Sequence, residues 1–408
     1  MNQLLITLAS FALIPILIKK KMKLSNTIFV VTIIISLLSG IGIDGLGKTV
    51  FKIFTNPNSL DTIITVAMVG MLGSLMKHYG ILDGIVNTML KVISNKKIVM
   101  MLIPSMIGVL VVPGGAVLSA PFINSLGEEM NIEPPKRAAI NLIFRHISMF
   151  LLPFSTVLLF VKASIPEINI YKVIAFSIPF LAGIMAIAYY LYLRGSGNGK
   201  EVKSTDRGRS ILKLLILTIP IYISVVINVI TGLPFFISML GSIISVYFLG
   251  NKKDFMRTVI KSFNLHTVLM VLSILILKDV ILQLGDMLSL VEGALSGMGS
   301  GIGVMIVFTI VSIFFGYITG YPTSALAITL PLLSMLDMNT NALHIYSYFL
   351  FAVSFVGYFY SPLHLCQVLT IGEMKVGTLE LYKEYRLYAI LQLLLIYGTT
   401  LLLLMLFA

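Results

Sequence analysis

The sequence predicts an all-α polytopic membrane protein, and three observations carry that expectation. Of the 408 residues, 58% are hydrophobic and only 11% are charged, against about a quarter charged in soluble domains. The mean hydropathy is +1.01. Eight windows, 2–18, 26–43, 171–193, 211–230, 233–249, 302–318, 343–360 and 386–407, are mostly apolar over the length needed to cross the hydrocarbon core. An outer-membrane barrel would instead alternate in short segments. With the more interrupted stretches between these windows, about 10–12 transmembrane helices are expected.

Taken in order, window 2–18 is followed by KKKMK at 19–23. A cleaved signal peptide has its positive charge in front of the apolar region, so this segment is expected to stay as the first helix. Further basic clusters fall at Lys91, Lys96 and Lys97, at Arg194 to Lys213, and at Lys252 to Lys261. The positive-inside rule places all of them in the cytoplasm. The first helix then runs inward, the second outward, and the stretch from Asn58 starts outside. Both termini are expected outside a cytoplasmic membrane. The net charge of +12 is accounted for by these loops, and no nucleic-acid partner is expected.

RGSGNGKEVKSTDRGR, 194–209, is the one clear linker. Beyond it the pattern returns: windows 211–230 and 233–249, the basic loop NKKDFMRTVIK, then a long amphipathic unit. MKHYGILDGIV at 76–86 has a counterpart in LKDVILQLGDMLSLV at 277–291. An offset of 209 relates Pro113 to Pro322, Pro153 to Pro362, Ala116 to Ala325 and Ser155 to His364. Two similar units entering from opposite sides make an inverted-topology repeat, an arrangement common among transporters. The expected division is a first repeat, 1–193 (scaffold 1–58, transport unit 59–193), a cytoplasmic linker, 194–210, and a second repeat, 211–408 (scaffold 211–263, transport unit 264–408).

Four stretches break helices in matching order: PGGA at 113–116, LPFST at 152–156, TGYPTSA at 319–325 and SPLHLCQ at 361–367. Each break frees backbone N–H and C=O groups that cost several kcal/mol if left in lipid, so it must face protein or a watery cavity. Helix N-termini there suit an anion, and freed carbonyls suit sodium. The candidate substrate-binding residues are Gly114, Gly115, Ser155, Thr156, Thr323, Ser324, His364, Gln367 and Arg145, around the breaking prolines Pro113, Pro153, Pro322 and Pro362. Thr319, Gly320 and Ser361 are candidate ion-binding residues. The competing reading of each hydroxyl is local bonding to its own backbone, and of each proline a packing kink.

Arg145 and His146 sit in a stretch too apolar for a loop, where a charge is a functional hypothesis. The alternatives for Arg145 are snorkelling to the interface or pairing with Glu128, Glu129 or Glu133. Asp279 and Asp286 are the carboxylates a cation/proton antiporter would need, while Lys77, His78, Lys162, Lys278, Glu292, Glu373 and Lys375 fit helix ends. Cys366 is the single cysteine, so it forms no intramolecular disulfide and lacks the companion spacing of a metal site. Neither a Walker A loop nor H-E-x-x-H occurs, and GSGIGVM at 299–305 fits close helix packing. No catalytic residue, metal or cofactor is therefore expected beyond Na+ or H+ as a coupling ion.

The paired breaks, PGGAVLSAP with LLPFST and TGYPTSALAITLP with SPLHL, resemble those of the ion-transporter superfamily of citrate, dicarboxylate and gluconate carriers. Over nearly its whole length the chain resembles an uncharacterised prokaryotic multi-pass membrane family placed in that superfamily. The resemblance implies a homodimeric elevator carrier with two re-entrant hairpins. The dicarboxylate branch carries Ser-Asn-Thr at each hairpin tip, whereas the tips here are Pro-Gly-Gly-Ala and Pro-Thr-Ser-Ala. The expected function is secondary transport of a small organic anion, coupled to sodium or protons. An antiporter of the same fold, or a membrane-embedded enzyme or assembly protein, are the other classes. The first requires Thr323, Ser324, Ser155 and His364 to converge on a cavity; the second requires a carboxylate there.

Overall fold

A computed structural model describes residues 2–109, 115–197, 207–250, 254–296 and 301–408, and among them every regular element is a helix. The first half carries α1 (Asn2–Lys19), α2 (Leu24–Leu38), α3 (Gly42–Thr55), α4 (Pro57–His78), α5 (Ile81–Val92), α6 (Lys96–Gly108), α7 (Gly115–Glu129), α8 (Pro134–Leu151), α9 (Thr156–Ser164) and α10 (Ile170–Ala188), which ends in a π-helical turn, Tyr189–Leu193. The second half carries α11 (Arg207–Thr231), α12 (Phe235–Leu249), α13 (Phe255–Ser262), α14 (Leu265–Ile281), α15 (Gly285–Ser296), α16 (Ile302–Thr319), α17 (Pro322–Ser334), α18 (Thr340–Phe359), α19 (Leu365–Met374) and α20 (Thr378–Phe407).

All eight apolar windows are helical. Window 26–43 is shorter than expected: Gly40, at φ 87°, turns the chain after Leu38, and residues 42–43 already belong to α3. Among the described residues, seven helices are long and apolar enough to span a bilayer, counting α8 with α9 (Pro134–Ser164) as one, or eight if α13 and α14, bent by 40° at their junction, count as one broken span. Reaching the expected 10–12 requires the shorter apolar helices α1, α2 and α12 to cross as well. Most of the linker, 198–206, lies outside the described residues, and α11 begins at Arg207.

Asparagine starts many of these helices. Asn56, Asn95, Asn169, Asn264 and Asn339 each accept a hydrogen bond from a first-turn N–H, and Pro57 fills the first position of α4. A side-chain acceptor satisfies donors that lipid would leave unpaired, which is worth about 1 kcal/mol per cap even in water. The apolar side chains then divide between lipid and core. On α11, Leu215, Ile219, Tyr222 and Val226 face outward, whereas α18 is buried over nearly its full length. Between the spans, α3 and α13 are short and amphipathic, with Phe51, Phe54, Met256 and Ile260 exposed. That is the pattern of helices lying in a membrane interface.

Packing between the halves is reciprocal. α2 packs on α14 and α12 on α4; α3 packs on α14 and α13 on α4; α10 packs on α18 and α20 on α8; α7 packs on α19 and α17 on α9. Each of these contacts has a mate with the halves exchanged. The first hairpin is α6 with α7, against α8, and the second is α16 with α17, against α18. With 13 residues, α17 is about 20 Å long, too short for a core of about 30 Å. It returns inside the protein, with every residue from Pro322 to Leu333 buried.

Glycine sets how closely each hairpin lies on the helix behind it. A Cβ at Gly108 would collide with the Arg145 carbonyl oxygen, and one at Gly316 would stand 2.8 Å from the Ser354 oxygen. Arg145 and Ser354 differ by the same offset of 209 as the prolines. Gly357 answers from the opposite side, where a Cβ would meet the Ile313 oxygen at 2.5 Å. Small residues let membrane helices approach to backbone contact.

Candidate functional site

The second break of the first half runs from Leu152 to Ser155. The Ser155 amide donates to Leu152 O (2.9 Å), and its hydroxyl accepts from the Leu158 amide (3.4 Å), capping α9. Facing it is the tip of the second hairpin. Gly320, in the left-handed region at φ 64°, ends α16; Tyr321 is extended; Pro322 starts α17, where its missing N–H costs nothing. Pro113 and Gly114, at the tip of the first hairpin, lie outside the described residues, and Gly115 opens α7.

Between these ends lies a cavity of about 140 Å³. It is lined by Arg145, His146, Ser155, Thr156, Tyr321, Pro322, Thr323, Tyr358 and Cys366, with Gly108 and Val109 from the end of α6. Of the residues expected from sequence, Arg145, Ser155, Thr156, Pro322 and Thr323 therefore meet at one place. Ser324 is buried one residue beyond Thr323 but does not line it. Neither Gln367 nor His364 lines it: Gln367 donates to the Tyr382 hydroxyl (3.2 Å), and His364 stands behind His146. Pro153 and Pro362 break their helices without reaching the cavity.

The residues expected to bind an ion are bonded to the local backbone instead. Thr319 Oγ1 donates to Phe315 O (2.7 Å) and accepts from the Tyr321 amide (3.2 Å). Ser361 Oγ donates to Tyr317 O (2.5 Å) and accepts from the Leu363 amide (3.1 Å), while Gly320 lies against Leu363. Together they tie the hairpin tip to the break after α18.

Several buried polar atoms here have no partner: Arg145 Nη1, Thr323 Oγ1, Ser324 Oγ and Gln367 Oε1. Leaving such an atom unsatisfied costs about 1–3 kcal/mol, more when charged, so the two of them that line the cavity, Arg145 Nη1 and Thr323 Oγ1, point to something that binds there. Arg145 is 5% exposed, which excludes snorkelling. It also has none of the expected acidic partners, because Glu128 pairs with Arg137, Glu129 with Lys96 and Glu133 with Lys136. Among the described residues lining the cavity, none is acidic. Asp279 is bound to Lys278 at 2.9 Å near the end of α14, and Asp286 is exposed.

Sequence reasoning named His364 and noted His146 beside Arg145, but gave no role to Tyr358 or Cys366 on this side of the site. His146 and His364 are fully buried, with ring centroids 4.8 Å apart and their Nε2 atoms at 3.2 Å. The Tyr358 hydroxyl lies 3.2 Å from His146 Nε2. The Cys366 sulfur lies within 4.8 Å of ring nitrogens of His146 and His364 and lines the cavity with Arg145. The only trace in the sequence was that RH at 145–146 and HLC at 364–366 each accompany a break. Asn141 anchors this side, donating to Thr370 Oγ1 (3.0 Å) and to Ala116 O (3.4 Å), which joins α8 to α19 and α7.

A family model described as a protein of unknown function, DUF401, matches residues 2–406. The chain belongs to the DUF401 family. No curated protein matches it. Among solved structures, this DUF401 chain is similar to the crystal structure of the Alcanivorax borkumensis YdaH transporter, reported to have an unusual topology. The match has a TM-score of 0.53 at 16% identity and covers 89% of this chain and 88% of the other. At that identity the likeness is one of fold. The all-helical architecture expected from composition, with several helices long and apolar enough to cross a membrane, is thus found in the structure, and its fold resembles that of a solved transporter.

Proposed function

We propose that this chain is a secondary active transporter of a small organic anion, carboxylate-like and coupled to Na+ or H+, and that it is not an enzyme. The observation that carries this reading is the cavity between two broken helices, which holds an unpartnered Arg145 guanidinium nitrogen and an unpartnered Thr323 hydroxyl and no acid. A carboxylate would accept from both donors, and charge-assisted bonds to arginine are the strong ones. The volume of about 140 Å³ suits a molecule of a few heavy atoms. The related fold of a solved transporter supports the class.

Reciprocal packing of the two halves supports an inverted repeat, and with it an elevator motion of the homodimeric kind implied by the resemblance to citrate and dicarboxylate carriers. The orientation has support as well. Asn339 and Asn341 bind the carbonyls of Ala408 and Phe407 at one end of α20, near Lys172 at the start of α10. Lys97 reaches Arg194 O beyond the other end of α10. With the basic end in the cytoplasm, the C-terminus lies outside. The antiporter reading loses ground, since its best carboxylate, Asp279, is paired with Lys278 away from the cavity.

The test is a thermal-shift screen of purified protein in detergent against mono-, di- and tricarboxylates, with and without sodium. A ligand that binds the folded state raises the midpoint by mass action. One carboxylate should stabilise the wild type and lose that effect in Arg145→Gln. Stabilisation by sodium or pH alone, with no anion active, would instead return the antiporter.

A further inference from the structure

A buried side-chain cluster beside the cavity has the geometry of a metal site. His146 Nδ1 lies 2.6 Å from Leu142 O, and His364 Nδ1 lies 3.2 Å from Phe359 O. A carbonyl oxygen only accepts, so each Nδ1 carries the proton and donates it. In the neutral rings both Nε2 atoms are then bare acceptors, and they face each other at 3.2 Å. Two lone pairs in that position repel unless a proton or a metal ion lies between them, and the Tyr358 hydroxyl, 3.2 Å from His146 Nε2, serves only one of the two nitrogens. Tying the outer ring N–H to a backbone carbonyl is also how metal-ligating histidines are held.

The distances suit coordination. Two ring nitrogens, each about 2.0–2.1 Å from one ion, stand about 3.3–3.6 Å apart for tetrahedral to trigonal bond angles. The thiol of Cys366 supplies a third ligand, with all three ligand atoms within 4.8 Å of one another. Bringing the sulfur to bonding distance takes a movement of about 1 Å at most. His146 and Cys366 both line the cavity, which gives an ion a way in.

Charge selects the kind of ion. The thiolate would be the one anionic ligand, and Arg145 stands beside it with no carboxylate near. A monovalent ion and the thiolate are neutral together, whereas a divalent ion would put a second positive charge next to Arg145 in a medium of low dielectric. Thiolate and imidazole ligands together favour a soft ion. We propose that His146, His364 and Cys366 form a binding site for Cu+. The site stands on its own geometry and does not require the transport reading.

The experiment is an anaerobic titration of the full chain, without a polyhistidine tag, using Cu+ in competition with a chromophoric Cu+ chelator. One ion per chain is expected, with a thiolate-to-copper absorption band in the near ultraviolet. The chain has a single cysteine, so that band reports Cys366 alone. Cys366→Ser should abolish the band and weaken binding at least tenfold. His364→Gln should weaken binding at least tenfold while keeping the band, and His266→Gln should change neither. Thermal melts without metal establish that each variant is folded. Absence of the band in the wild type, or equal affinity in wild type, Cys366→Ser and His364→Gln, would overturn the site. Zn2+ binding as tightly as Cu+ would overturn the choice of a monovalent ion.

Discussion

Gly357→Ala tests whether the second hairpin is held at backbone contact. The new Cβ would stand 2.5 Å from Ile313 O, 2.8 Å from Ile313 Cα and 3.0 Å from its carbonyl carbon. All three neighbours are main chain, so no side chain can swing aside. Ordinary contact begins at 3.4 Å, and α16 must therefore retreat from α18 by about 0.9 Å at this level. Overpacking of this kind costs about 1–3 kcal/mol, and the upper half of that range applies because two helices must part. One residue further on is Tyr358, whose hydroxyl meets His146, so the same displacement loosens the cavity wall. The assay is the apparent melting midpoint in detergent at one fixed scan rate, since membrane proteins of this size unfold irreversibly. A fall of about 2–6 °C is expected. Gly398→Ala is the control: nothing lies within 4 Å of a Cβ there, and alanine in a helix is favoured over glycine by about 0.5–1 kcal/mol. If Gly357→Ala melts with the wild type, the close approach of α16 and α18 is not as described.

Two further substitutions probe the polar interior. Thr323→Val keeps the shape of the side chain and removes a hydroxyl that has no partner, so the protein without ligand should be as stable as wild type or more so. Its affinity for the stabilising anion should fall, and a drop in ligand-free stability would show that the hydroxyl is satisfied after all. Lys278→Met leaves Asp279 buried beside only the more distant Lys52, at 3.9 Å, and should destabilise by about 3–5 kcal/mol. Adding Asp279→Leu should recover most of that loss, as read in the same melting assay, because the uncompensated charge is gone.

What could be read from the sequence was whatever depends on neighbours along the chain. The apolar windows became helices, and Pro153, Pro322 and Pro362 mark breaks because proline acts on its own backbone. Arg145, Ser155, Thr156 and Thr323 stood out because polar residues at breaks in apolar runs are few, and they line one cavity. Ser361 and Thr319 stood out for the same reason, and their hydroxyls bond the backbone: a hydroxyl beside a break serves a turn as well as a ligand, and the sequence does not say which. The window at 26–43 was too long because isoleucine and glycine at 41–43 are as compatible with an interfacial helix as with a span. Cys366 shows a different limit. It was dismissed because its surroundings lack the spacing of a metal motif; His364 is only two residues away, but the other ligand candidate, His146, comes from a helix made 220 residues earlier. Nothing local announces such a meeting.

The exchange of partners between the halves also governs how the chain must be made. As α9 leaves the ribosome, the helix it will rest on, α17, has not been synthesised, and α7 waits in the same way for α19. The open ends at 152–155 must therefore be kept wet or shielded by the insertion machinery while about half the protein is still to come. Only when α19 arrives, shortly before the final helix, can both hairpins settle. A chain stopped anywhere before that point would present quality-control proteases with unfinished helix ends at the depth where lipid tolerates them least.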